Sequence, residues 1–138
     1  MRIRTGLVAL LLSIGVVAHA QEEAAPKVRK QGATTYVSGG GAEPERKALF
    51  KIAPKFPIQL IFQLNGEITD ISGVKVRVRD IGDNVLVEAE SDGPFFYVNP
   101  PAGGRFTIEA EFRGEKQSFT KDLVGRRYLV LEYKFTAR

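Results

Sequence analysis

From Ile58 to Phe135 the chain alternates hydrophobic and polar residues in short runs separated by Gly, Pro, Asp and Asn. Ile58, Leu60, Phe62 and Leu64 share one face of a run. Val74, Val76 and Val78 alternate with Lys75, Arg77 and Arg79, and Leu129, Leu131, Tyr133 and Phe135 line one side of the last run. Period-2 alternation of this kind is the mark of half-buried strands, because successive side chains of an extended backbone point to opposite faces. The stretch Ser91–Gly114 carries the pattern most fully. Phe95, Phe96 and Tyr97 precede the run Pro100-Pro101-Ala102-Gly103-Gly104, after which Phe106, Ile108, Ala110 and Phe112 alternate with Thr107, Glu109 and Glu111. Fixed φ at the prolines followed by permissive glycines predicts a chain reversal, so this stretch reads as a β-hairpin.

The run after Gly73 predicts a second hairpin and a register. If Asp80 sits opposite Val85 across Ile81-Gly82-Asp83-Asn84, then Val78 faces Val87 and Val76 faces Ala89 on the core side. On the outer side Arg77 meets Glu88 and Lys75 meets Glu90. Opposite charges in both outer pairs select this register, since a one-residue slip would set valines against glutamates. A turn at Glu115 and Lys116 leads into a strand over 117–124, and Tyr128–Phe135 closes the chain. About seven strands with turn signals every 8 to 12 residues predict a β-sandwich.

Before Ile58 the pattern differs. Residues 21–31 are polar and lack apolar periodicity, predicting a flexible tail that extends to residue 33, and Thr34–Val37 reads as a short strand. Glu43-Pro44-Glu45 suits a first helical turn, since proline is tolerated there and carboxylates face the positive end of the helix dipole. Ala48, Leu49 and Ile52 follow at helical spacing, so a short amphipathic helix is expected over about 43–52, stopped by Pro54. Gly39-Gly40-Gly41 lacks the Lys-Ser/Thr of a phosphate loop and reads as a linker.

Ser91-Asp92-Gly93, Pro100-Pro101-Ala102-Gly103 and Phe106-Thr107-Ile108-Glu109-Ala110, in this order and spacing, resemble the carboxypeptidase regulatory-like domains of the transthyretin-like (prealbumin-like) β-sandwiches. With flanking strands the resemblance covers about 73–135, and Gly104 adds one residue to the family's turn. The resemblance implies an antiparallel, seven-stranded transthyretin-like β-sandwich, here with one short N-terminal helix. It implies a fold more than an activity, because such modules serve as appendages, adhesion units and binding domains.

The N-terminus predicts the compartment. Arg2 and Arg4 precede the apolar run Leu7–Val17, and Ala18-His19-Ala20 presents small residues where a signal peptidase reads, so residues 1–20 are expected to be a cleaved secretory signal. The run is short for a span of roughly 20 apolar residues, so no membrane anchor is expected after cleavage. The protein is then periplasmic or secreted. Cleavage removes 20 of 138 residues and leaves 118, enough for a single domain over 34–138. Arg2 and Arg4 leave with the signal, so 18 Lys and Arg against 16 Asp and Glu give +2 rather than +4. Basic residues interleave with acidic ones along the strands, which argues against nucleic acid as a partner.

Cysteine is absent, and the one histidine, His19, lies in the signal. The exported chain therefore has no residues for Ser-His-Asp or Cys-His catalysis, for His-ligated zinc or copper, or for thiolate metal sites. This also argues against the hydroxyisourate hydrolases that share the transthyretin-like sandwich, which depend on active-site histidines. No cofactor or metal is expected, and the chain is not read as an enzyme. Asp80, Asp83 and Asn84 group oxygen atoms in one loop, but turn chemistry explains them better than calcium. Glu88 with Glu90, and Glu109 with Glu111, line strand faces amid Lys and Arg and read as ion-paired surface rather than acid/base machinery.

Candidate binding residues are Phe95, Phe96 and Tyr97, which put aromatics on both faces of one strand, and the basic knuckle Arg126-Arg127 beside Gly125. Packing of these rings under the N-terminal helix is the stronger expectation, because sheet faces usually bury them. The reading is a non-catalytic exported binding or accessory module that recognises a protein or glycan of the cell envelope through loops or an edge strand. A carboxylate-dependent periplasmic hydrolase and a structural component of an envelope complex are the alternatives.

Overall fold

The computed structural model describes residues 25–125 and 127–136. The expected signal segment and the start of the tail lie outside them. The described residues form nine strands and one α-helix. These are β1 Arg29–Gln31, β2 Thr34–Gly39, α1 Glu43–Ile52, β3 Ile58–Leu64, β4 Lys75–Arg79, β5 Val85–Glu90, β6 Phe95–Asn99, β7 Arg105–Phe112, β8 Glu115–Asp122 and β9 Leu129–Phe135. They make two sheets, β1-β2-β6-β3-β9 and β5-β4-β7-β8. The architecture is an all-β sandwich with a helix on one outer face.

Two features depart from the antiparallel seven-stranded expectation. The strand count rises to nine among the described residues, partly because Arg29–Gln31, expected in the tail, pairs antiparallel with Thr34–Tyr36. In addition β9 runs parallel to β3, with Ile58 beside Leu129 and Leu64 beside Phe135. A parallel neighbour must come from far along the chain, so no local turn signal announces it.

The Ser91–Gly114 stretch is not a hairpin. β6 pairs with β2 and β3, whereas β7 pairs with β4 and β8, so Pro100–Gly104 carries the chain from one sheet to the other. Proline, glycine and alternation encode a reversal, but not whether the two arms hydrogen-bond to each other. β6 lies inside the five-stranded sheet and is covered on both sides. Phe96 and Val98 enter the core between the sheets with Phe62, Val76, Ile108, Tyr133 and others. Phe95 and Tyr97 enter a second core with Val37, Leu49 and Phe56 beneath α1.

The β4–β5 register is as the charges predict, with Lys75 opposite Glu90, Arg77 opposite Glu88 and Val78 opposite Val87. It shifts at the turn. Arg79, not Asp80, faces Val85, which leaves Leu86 as the extra residue of a bulge. The next reversal falls at Arg113-Gly114, both at positive φ, rather than at Glu115-Lys116, so β8 starts two residues earlier than expected.

Helix α1 has the expected bounds, with Glu43 and Glu45 in its first turn and Lys51 in its last. The triple glycine before it is a packed junction, not a linker. A Cβ on Gly40 would strike the Phe95 ring, and one on Gly41 would strike the Asp70 carboxylate. The Ser38 hydroxyl ties the same junction by donating to Phe95 O at 2.8 Å and accepting from Asp92 N at 2.9 Å.

Burial sets an alkaline limit. It pushes the Tyr97 phenol up to about 12 and the Tyr133 phenol higher still, the latter also raised by Glu109. The unfolded phenols ionise near their usual value of about 10. The folded state keeps them neutral, so this stability is complete below about pH 10 and is lost as pH rises toward about 12. Below about pH 12, phenolate absorbance of these two tyrosines should therefore rise only together with loss of the β-sheet circular dichroism. Their ionisation with the sheet signal intact would contradict the burial argument.

Candidate functional site

The aromatic candidates are not on the surface, and Phe95 and Tyr97 pack under the N-terminal helix as expected. Phe95, Phe96 and Tyr97 are all buried. Phe95 packs edge-on against Phe50 at 5.4 Å and Phe96 stacks on Tyr36 at 5.5 Å, while Tyr97 meets Phe56 at 6.3 Å. These rings join helix, sheet and core, and they present nothing to a ligand. Arg126 lies outside the described residues. Arg127 is exposed, with its guanidinium 5.9 Å from the centre of the Tyr128 ring.

Arg127 belongs to a larger feature. Strand directions place the β1–β2 turn, residues 53–57 and the 80–84, 100–104 and 123–128 connections at one end of the sandwich. Hydrogen bonds tie the 123–128 connection to 100–104 and to residues 53–57. Leu123 N donates to Gly104 O at 2.7 Å, the Tyr128 hydroxyl to Pro54 O at 3.0 Å, and Leu129 N to Pro57 O at 2.7 Å. On this rim Ile81 and Val124 are 80% and 72% exposed, the two most exposed large hydrophobic residues among those described, and Val85 is also exposed. Single exposed apolar residues are ordinary, and these three are set apart by sharing one end of the sandwich. The sequence carries only a weak signal for them, an apolar residue beside Gly82 and another beside Gly125.

The polar atoms of the rim are committed to its shape. Asp80 accepts from Asn84 N at 2.9 Å and from the Asn84 side chain, and these bonds hold its carboxyl below the usual carboxylate range. Asp83 pairs with Arg79 at 2.8 Å, and Arg105 with Asp122 at 2.8 Å. Turn formation accounts for the oxygen atoms of 80–84. Among the described residues no group of three or more His, Cys, Asp or Glu is placed to hold a metal ion.

The outer face of β5-β4-β7-β8 is a charge grid. Across the sheet the registers set Glu90, Lys75, Glu111 and Lys116 in one row, and Glu88, Arg77, Glu109 and Ser118 in the next. Arg77 binds Glu88 at 2.8 Å and Arg79 binds Glu109 at 2.9 Å, so two of the four paired carboxylates anticipated from sequence are ion-paired. Hydrogen bonding and the charge of Glu88 raise the Arg77 pKa further. Glu90, Glu111, Lys75 and Lys116 make no ion pair among the described residues, and with Arg77, Glu88 and Glu109 they line a half-open depression.

The sheet edges are guarded by side chains. Gln31 of β1 donates to Glu88 O and accepts from Glu88 N, both at 3.0 Å, occupying backbone groups of edge strand β5. At the opposite corner Gln117 of β8 donates to Lys134 O, and Glu115 accepts from Thr136 N at 3.2 Å. Each corner thus uses a side chain from one sheet to occupy the backbone of the other. Neither a protein-family model nor a curated protein sequence matches this chain. No helix among the described residues is long and apolar enough to cross a membrane.

Proposed function

We propose that this chain is a non-catalytic exported binding or accessory module that contacts a protein or glycan of the cell envelope through the loop end of its sandwich. The observation that carries this reading is the exposure of Ile81 and Val124 at one end of the sandwich, Val124 lying on the tethered 123–128 connection that also carries Arg127. The edge-strand route is the weaker one, because Gln31, Gln117 and Glu115 occupy backbone groups of β5 and β9 and its near end. The resemblance carried by Ser91-Asp92-Gly93 and Pro100-Pro101-Ala102-Gly103 supports reading the sandwich as transthyretin-like, although its nine strands among the described residues and its parallel β3–β9 pair depart from an antiparallel seven-stranded form. Absence of His and Cys beyond residue 20, with Glu88 and Glu109 tied to arginines, supports a role without catalysis.

The test is site-specific photo-crosslinking in cells. A crosslinker at position 81 or 124 should give a discrete adduct, whereas one at Glu132 on the far face of β9 should not. Protease or glycosidase sensitivity of the adduct then separates a protein from a glycan. Equal labelling at all three positions, or adducts only at 132, would remove the loop end as the contact surface.

A further inference from the structure

We propose that the outer face of the four-stranded sheet is a two-fold interface with a second copy of this chain. The row Glu90, Lys75, Glu111, Lys116 reads acid, base, acid, base across strands spaced by about 4.8 Å. Read backwards it is base, acid, base, acid. A sequence of charges that is its own complement on reversal is what an isologous interface requires, since residue i must meet j while j meets i.

Rotating a second copy by half a turn about an axis parallel to the strands, midway between β4 and β7, performs that reversal face to face. Glu90 then opposes the partner's Lys116, and Lys75 opposes the partner's Glu111, each contact occurring twice. The next row is complementary at its centre only, where Arg77 opposes the partner's Glu109, while Glu88, already bound to Arg77, opposes the uncharged side chain of the partner's Ser118. An axis lying across the strands would instead set the basic column of β4 against itself and the acidic column of β7 against itself. Electrostatics therefore selects one of the two face-to-face arrangements. Aligned strands are also the packing that twisted sheets favour.

The first row has charges to offer. Glu90, Lys75, Glu111 and Lys116 have no ion pair of their own among the described residues, although each lies beside opposite charge in the register. The face spans four strands, roughly 19 Å, by about five residues, roughly 17 Å. That footprint is small beside a standard interface of about 800 Å² per partner, so the association is weak and reversible. Its contacts are exposed charges, so salt screens it. The axis runs along the strands, and both loop ends therefore point the same way. A dimer presents two copies of the Ile81 and Val124 rim to one target, which raises avidity without new contacts. The interface itself does not depend on what the rim binds.

Sedimentation equilibrium of the purified protein tests this. In low salt the average mass should rise with concentration toward that of a dimer, and physiological salt should weaken the association by about tenfold or more. K75E and E111K each replace two attractive contacts by two repulsive ones, and each should be monomeric alone. Mixed in equal amounts they should associate, because at one contact Glu at 75 of the first chain meets Lys at 111 of the second, and at the other the unchanged Glu111 and Lys75 meet. K75Q and E111Q provide milder losses, and circular dichroism establishes that each variant is folded. A wild-type protein that stays monomeric at millimolar concentration in low salt overturns the proposal. So does association that K75E leaves unchanged, or a mixture of the folded K75E and E111K chains that remains monomeric.

Discussion

Replacing Phe62 by alanine should destabilise the protein by about 3–5 kcal/mol, the range for emptying a fully buried aromatic site. Phe62 is fully buried at the centre of β3, with the Tyr133 ring at 5.9 Å and the Phe135 ring at 6.3 Å. Those neighbours belong to the parallel strand β9, and Phe62 N also donates to Pro94 O at 2.8 Å. Backbone bonds fix β3 on both sides, so the cavity cannot close by a simple shift of one strand. The expected melting temperature falls by roughly 15–25 °C. Phe50→Ala is the comparison. That ring is half exposed and rests edge-on against Phe95, so its removal should cost about 1 kcal/mol. Equal losses from the two substitutions would mean that the core is not where the rings place it.

Gly93→Ala should be the most damaging single-methyl change, costing about 3 kcal/mol or more and lowering the melting temperature by more than about 10 °C. A Cβ there would overlap the Gly39 carbonyl, 2.5 Å from its carbon and 2.8 Å from its Cα. The obstacle is backbone, not the end of a flexible side chain. Gly39 is paired with Phe95 at the end of β2, and the neighbouring Ser38 bridges Phe95 and Asp92. Relief would require β2 and β6 to separate where the helix layer is anchored. Gly103→Ala in the Pro-Pro-Ala-Gly-Gly connection is the control, because its Cβ would meet nothing nearer than Leu123 O at 4.0 Å. It should change stability by no more than about 0.5 kcal/mol. Thermal melts of the two variants side by side decide the matter, and a harmless Gly93→Ala would show that the close approach of the two loops is not required.

The contrast between these glycines shows what could be read from sequence. Gly103 and Gly104 stand in a turn signal and occupy a reversal. Gly93 and Gly39-Gly40-Gly41 look like loop residues too, yet they are packed where two loops distant in sequence cross. Only the tertiary structure brings Gly39 beside Gly93. The charged hairpin was legible for the opposite reason, since β4 and β5 are adjacent in sequence and their pairing is settled by valines and by Arg77 meeting Glu88. Even there the bulge at Leu86 was hidden, because a shift confined to the turn leaves the charge pattern beyond it unchanged.

The candidate site divides in the same way. Phe95, Phe96 and Tyr97 read correctly as a strand with rings on both faces, but a helix and a second sheet cover both faces. Ile81 and Val124 are distant in sequence and come to the same end of the sandwich because β4, β7 and β8 lie side by side. The alternating row Glu90, Lys75, Glu111, Lys116 likewise draws on four strands, although each strand's own alternation of charge and apolar residue was visible.

Local order alone determined the β class, the bounds of the helix, the register of one hairpin and the lack of histidine and cysteine beyond residue 20. These depend on backbone periodicity, on charges a few residues apart, or on composition. The tertiary structure decided that β6 and β7 part into different sheets, that β9 joins β3 in parallel, and that the aromatic strand is interior. Each of these turns on which distant segments bury the same apolar surface together, a choice made by the whole core rather than by any stretch of the chain.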